Sequence, residues 1–166
     1  MNVKHYSKGL SLLHWLVAIM FAASYIISDG MPKYFDQHLE NIDVSGQWVA
    51  NFHVYAGLAF IAVVLIRLIV RLTSQKPEPI GSADSRLNKI ATGTHHLLYL
   101  LMFLVPVAGV IGWYEKITIF GDIHVLLMNL MLGLVGLHIA AAIYHQWVLK
   151  DGILSRISLL KSEKRN

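Results

Sequence analysis

Residues 121–149 read GDIHVLLMNLMLGLVGLHIAAAIYHQWVL, an apolar run whose only formal charge is Asp122 and which is interrupted by His124, His138 and His145. At about 20 residues per crossing of a hydrocarbon core, a run of this length is a membrane-spanning helix. His124 and His138 are fourteen positions apart. On a helix that is a climb of about 21 Å, and the two side chains share nearly one face, because the rotation falls about 40° short of four full turns. One helix thus offers imidazoles at two depths.

The rest of the chain fits the same class. Of its 166 residues 55% are hydrophobic and only 14% charged, and the mean hydropathy is +0.54, which places it among integral membrane proteins. Hydropathy divides it into four spans, about 10–28, 49–72, 95–114 and 121–149, so the expected fold is all-α, an integral membrane four-helix bundle occupying residues 1–152. The first apolar run has spanning length and lacks a small-residue cleavage pattern, and is expected to be retained. Residues 153–166 form a basic tail, read either as a short amphipathic helix on the leaflet or as an irregular end. The segment from Thr73 to Asn88, with Lys76-Pro77-Glu78-Pro79, has the composition of a connector.

Charge sets the expected orientation. Lys4 and Lys8 precede the first span, Arg67, Arg71, Lys76, Arg86 and Lys89 surround the connector, and Lys150, Arg156, Lys161, Lys164 and Arg165 follow the last. By the positive-inside rule both termini are cytoplasmic. The first outer loop carries Asp29, Asp36, Glu40 and Asp43 against Lys33 alone, and all four tryptophans, Trp15, Trp48, Trp113 and Trp147, fall near span ends, as interfacial rings do. The pI of 9.4 reflects these topology determinants and no nucleic-acid platform, since no aromatic residues are interleaved with them.

No cysteine is present, which excludes disulfides, iron–sulfur clusters and thioether-linked haem. The histidines remain. His14 lies about one turn inside the cytoplasmic start of span one, at the depth of His138, and His53 about one turn inside the outer start of span two, at the depth of His124. Titratable side chains are costly in hydrocarbon, and neutral imidazole is a favoured axial ligand of haem iron. A lone intramembrane histidine is often only a helix–helix hydrogen-bonding residue. Four at two matched depths favour two stacked haems, held by His14 with His138 and by His53 with His124. His95 or His96 at the start of span three can replace His14 or His138. The residues one turn on, Ala18, Gly57 and Ala142, leave room for a ring edge, a pattern that Met128 breaks. Arg67, fourteen residues after His53, can meet a haem propionate as a bidentate pair or snorkel to the surface, as Arg71 is expected to do. Lys33, Lys116 and Trp48 are the candidates for the outer propionates.

Four strings carry a family resemblance: Ser11-Leu-Leu-His14-Trp15, Phe52-His53-Val-Tyr-Ala-Gly57, Val64-Leu-Ile-Arg67-Leu-Ile-Val-Arg71-Leu72, and the closing Gly136-Leu-His138 through His145-Gln-Trp147 to Asp151-Gly152. Over nearly its whole length the chain resembles the bacterial cytochrome b561 family, and the His124–His138 spacing also resembles the b-type subunits of membrane formate dehydrogenases and nickel–iron hydrogenases. The resemblance implies a multi-pass cytochrome of the bacterial inner membrane with two haem b, exchanging electrons with ubiquinone or another quinone. Its outer-face donor would be superoxide, as in members resembling superoxide oxidases, or another small donor. The alternative is a haem-bearing anchor subunit relaying electrons for a periplasmic redox protein; a bundle whose histidines serve packing or transport is the non-redox alternative. His145 is the expected proton relay at the quinone site, with Trp147, Lys150 and Asp151 beside it. The chain departs from the family in its short outer connection between spans three and four, where eight residues separate Trp113 from Asp122.

Overall fold

A computed structural model describes residues 6–75, 77 and 86–159. Lys4, His5, Lys76, most of the connector and the basic tail beyond Leu159 lie outside the described residues. Helix α1 spans Lys8–Ile27, α2 Met31–Leu39, α3 Trp48–Thr73, α4 Arg86–Tyr114 and α5 Thr118–Tyr144. Four of these are long and apolar enough to cross a membrane. The exception, α2, lies within the segment that hydropathy assigns to the loop between the first two spans. Its Met-Pro-Lys-Tyr-Phe-Asp-Gln-His-Leu composition is too polar and short for a hydropathy signal, but Gly30 turns the chain in the left-handed region (φ 87°) and Pro32 starts the helix.

Span three begins nine residues earlier than expected, at Arg86, because the polar segment Arg86–Thr94 continues the helix beyond its apolar part. At the other end of the chain α5 passes into a π-helical turn, His145–Leu149, which Lys150 and Gly152 end with positive φ angles of 53° and 71°. Residues Ile153–Ile157 form a 3₁₀ turn that folds back on α1, where Tyr6 N–H donates to the Arg156 carbonyl at 3.1 Å and Trp15 Nε1 to that of Ile157 at 3.3 Å.

Helix α1 packs on α3, α3 on α4 and α4 on α5. Helices α4 and α5 approach closely at their glycines, where a Cβ on Gly112 would lie 3.1 Å from the Gly121 nitrogen. Close approach at small residues is how membrane helices gain contact where lipid offers as much apolar surface as a neighbouring helix. The buried core lies mid-membrane in two joined clusters, Val17, Phe60 and Val64 on one side and Leu101, Val105 and Met131 on the other, with Phe21 and Met102 packed against both.

Candidate functional site

Each long helix carries a residue of interest at every seventh position: His14 and Phe21 on α1 with Ser28 as its C-cap; His53, Phe60 and Arg67 on α3; His95, Met102 and Gly109 on α4; His124, Met131 and His138 on α5. Seven residues are two turns less about 20°, a rise of about 10.5 Å, so each trio stays on one face. The antiparallel helices stack these trios into three layers. His14, Arg67, His95 and His138 form one end layer; Ser28, His53, Gly109 and His124 form the other; Phe21, Phe60, Met102 and Met131 are the apolar layer between, all in the core clusters.

In the first layer the His14 and His138 rings have centroids 6.3 Å apart, and those of His95 and His138 5.5 Å. Arg67 points inward: its Nη1 donates to the Leu10 carbonyl at 2.9 Å and its Nη2 to His14 Nδ1 at 3.3 Å. Arg71 lies 5.0 Å over the Tyr99 ring, and the Tyr99 hydroxyl is buried with no hydrogen-bond partner among the described residues. His96 is exposed on the far side of α4.

In the opposite layer the His53 and His124 centroids are 5.7 Å apart. Nδ1 of His124 is 2.8 Å from the Val105 carbonyl, which can only accept, so the proton sits on Nδ1 and Nε2 keeps its lone pair. His53 is held in the same sense. Its Nδ1 is 2.5 Å from Ser28 Oγ, whose own proton goes to the Ser24 carbonyl, so the serine accepts from the ring. Second partners of this kind orient metal-binding imidazoles. Gly109 is there for space: a Cβ would sit 2.9 Å from His124 Nδ1.

These two rings border a cavity of about 830 Å³. Phe21, Phe60 and Met131 line one end, and α2 contributes Pro32, Phe35 and Asp36. Its size falls within the roughly 300–1,000 Å³ of cofactor and ligand sites. None of Lys33, Lys116 and Trp48 lines it. Lys116 instead bonds Asn41 Oδ1 at 2.6 Å, and Trp48 is 65% exposed. Asp29, Asp36 and Asp122 do line it.

Paired imidazoles suit a haem. Two rings bound to one metal through bonds of about 2 Å have centroids about 6 Å apart, close to all three separations above. Among the described residues no three His, Cys, Asp or Glu side chains are placed to hold a bare metal ion; haem iron needs only two protein ligands, since the macrocycle supplies four. The residues therefore fit the group. The family-model comparison matches residues 5–158 to prokaryotic cytochrome b561. The chain belongs to that family. It is 33% identical over 153 residues to cytochrome b562 of Cereibacter sphaeroides, covering 92% of this chain and 94% of that protein. It is 25% identical to a protein of Yersinia pestis named probable superoxide oxidase CybB, covering 87% of this chain and 90% of the relative. This cytochrome is a multi-pass bacterial membrane protein of a family that transfers electrons, a family to which haem b belongs.

The remaining expected site residues lie at the end of α5. His145 is in the π-helical turn, with Nδ1 2.5 Å from Asp151 Oδ2, while the other carboxylate oxygen accepts from Ile153 N–H at 3.1 Å. Trp147 is 68% exposed and turned away from the layered face. Sequence reading missed Ser28, Tyr99 and Gly109. The heptad steps from His14 to Ser28 and from His95 to Gly109 were the available signal.

Proposed function

We propose that this cytochrome of the bacterial inner membrane binds two b-type haems, one between His14 and His138 and one between His53 and His124, and carries electrons between an outer-face donor and quinone. The supporting observation is the three-layer stack, with two imidazole pairs at 6.3 and 5.7 Å on either side of an apolar layer. Bound there, the haems supply one-electron relay chemistry and leave bond-making to what meets their edges.

The protein's residues do the rest. Val105 and Ser28 hold His124 and His53 with Nε2 free. Arg67 donates to His14 Nδ1, which leaves the neutral ring's proton on Nε2. Ligation through that nitrogen requires Arg67 to release His14, and a propionate is the acceptor to which a guanidinium turns. His95 stands beside the pair as the alternative partner of His138. Phe21, Phe60, Met102 and Met131 exclude water between the layers. On the cytoplasmic side His145, held by Asp151, passes a proton to a quinone oxygen.

Superoxide is the substrate in the name of the Yersinia relative. Here the outer segments carry six carboxylates, Asp29, Asp36, Glu40, Asp43, Glu115 and Asp122, against Lys33 and Lys116. That field repels an anion and favours an uncharged donor. The deciding experiment is dithionite reduction of the purified protein with pyridine-haemochrome quantitation. Two haems per chain are expected; one haem, or none in haem-replete preparations, would overturn the reading.

A further inference from the structure

A second, smaller cavity of about 330 Å³ opens on the outer face between the end of α2, the 40–47 loop and the start of α3. His38, Asp43, Asn51, Trp113 and Lys116 line it, with Ile42 and Val44 as its apolar wall. Trp113 also lines the larger cavity beside His53 and His124, and it is the residue common to both. The indole is clamped. His38 stacks on it at 4.1 Å with 6° between the planes, Phe35 lies on it at 6.4 Å and 27°, and His38 Nε2 donates to the Trp113 carbonyl at 3.0 Å. Interfacial tryptophans anchor helices by facing lipid headgroups. Trp48 and Trp147 have the exposure of such anchors, 65% and 68%, whereas Trp113 is half-buried and lines two cavities.

We infer that the outer cavity is the docking site of the electron donor, a small uncharged hydroxylated aromatic, and that Trp113 is the bridge from it to the site between His53 and His124. The inference rests on the electron-transfer reading above and adds the donor's class and path. The polar groups fit a hydroxyl, which both gives and accepts a hydrogen bond. Lys116 has ammonium protons beyond the one given to Asn41. Asp43, which accepts from Ser45 N–H through Oδ1, lines the cavity with further acceptor lone pairs, and His38, with its proton on Nε2, keeps a lone pair on Nδ1. The cavity's volume suits a single ring. The step balances as a one-electron oxidation: the donor R–OH would become R–O•, its proton passing to His38 Nδ1 and its electron across the indole to the one-electron acceptor, the haem that His53 and His124 would hold. Tunnelling weakens steeply across empty space, so a π-system packed between donor and acceptor raises the rate without itself being oxidised.

The test uses the full-length protein in nanodiscs with its haem content measured first, because a preparation lacking two haems tests the electron-transfer reading and not this one. Hydroquinone is the donor, and its redox-inert isomer resorcinol is the binding probe. In Trp113→Leu the reduction rate by hydroquinone should fall at least tenfold, and in Trp113→Phe it should stay within about threefold of the parent. Calorimetric binding of resorcinol should weaken at least fivefold in Lys116→Ala and Asn51→Ala, and resorcinol should compete with hydroquinone. Equal reduction rates in the leucine and phenylalanine variants would overturn the bridge. Should Trp113→Leu fail to hold its haems, the binding arm decides alone, and unchanged resorcinol affinity in both pocket variants would overturn the docking site.

Discussion

Ser28 Oγ lies 2.5 Å from Nδ1 of His53, while Arg67 Nη2 lies 3.3 Å from Nδ1 of His14. Because α1 and α3 run antiparallel and each segment places its two polar residues fourteen apart, each of the two provides a histidine at one depth and the hydrogen-bond partner for the other's histidine at the other depth. Ser28→Ala should leave the His53 ring without its acceptor and weaken haem retention at the outer pair by about tenfold or more, the usual effect of losing a metal ligand's outer partner. Haem dissociation to a scavenger globin, followed spectroscopically, measures it, with the inner pair as internal control.

Gly109→Ala offers a sharper steric test. In an exposed helix the change would favour the helix by about 1 kcal/mol. Here the new methyl would stand 2.9 Å from His124 Nδ1 and 3.2 Å from Cε1, on an imidazole already fixed to Val105. The ring must tilt, so the expected outcome is loss of the outer haem signal in a redox titration while the inner one persists.

His138→Ala should remove the inner cofactor and leave the outer, and His124→Ala the converse, since the Phe21, Phe60, Met102 and Met131 layer separates the two sites. Haem-to-protein ratios near one in each variant are expected. A ratio of zero in either would mean that cofactor binding and bundle assembly are one cooperative step.

His145 and Asp151 should act together. With His145→Ala or Asp151→Asn the rate of quinol formation should fall and its pH dependence flatten, while both haems stay bound. Unchanged profiles in the alanine variant would remove His145 from the proton path.

In the loop between α2 and α3, the backbone N–H of Ser45 holds the Asp43 carboxyl below its ordinary value of 3.8. A depressed carboxylate stabilises its loop above the unfolded value, and that contribution is lost as the pH falls through the lower folded value. Acidification from pH 5 toward 3 should therefore leave the Ser45 amide resonance in place well past the pH at which other exposed aspartates titrate. In Asp43→Asn that resonance should lose its pH dependence.

Much of this was legible in the chain itself. Span number, the fourteen-residue histidine spacing on α5 and the depth matching of His14 with His138 and His53 with His124 follow from helix rise and hydropathy, which are local properties. The polar extension of α4 to Arg86 and the short helix α2 were not legible, because hydropathy marks where a helix is greasy and not where it ends. Nor were the destinations of Lys116, Trp48 and Trp147, since a loop or span-end residue's direction depends on what packs beside it.

A helix of fixed pitch converts spacing into height and face, and so the sequence alone determined at which depth each imidazole sits. It had no means of saying which neighbour each ring's second nitrogen meets. That Ser28 and Val105 hold one pair, that Arg67 and His95 share the other, and that Trp113 divides two cavities were decided by how antiparallel helices pack. Those contacts join residues 19 to 75 positions apart, and only the assembled bundle brings them within hydrogen-bond reach.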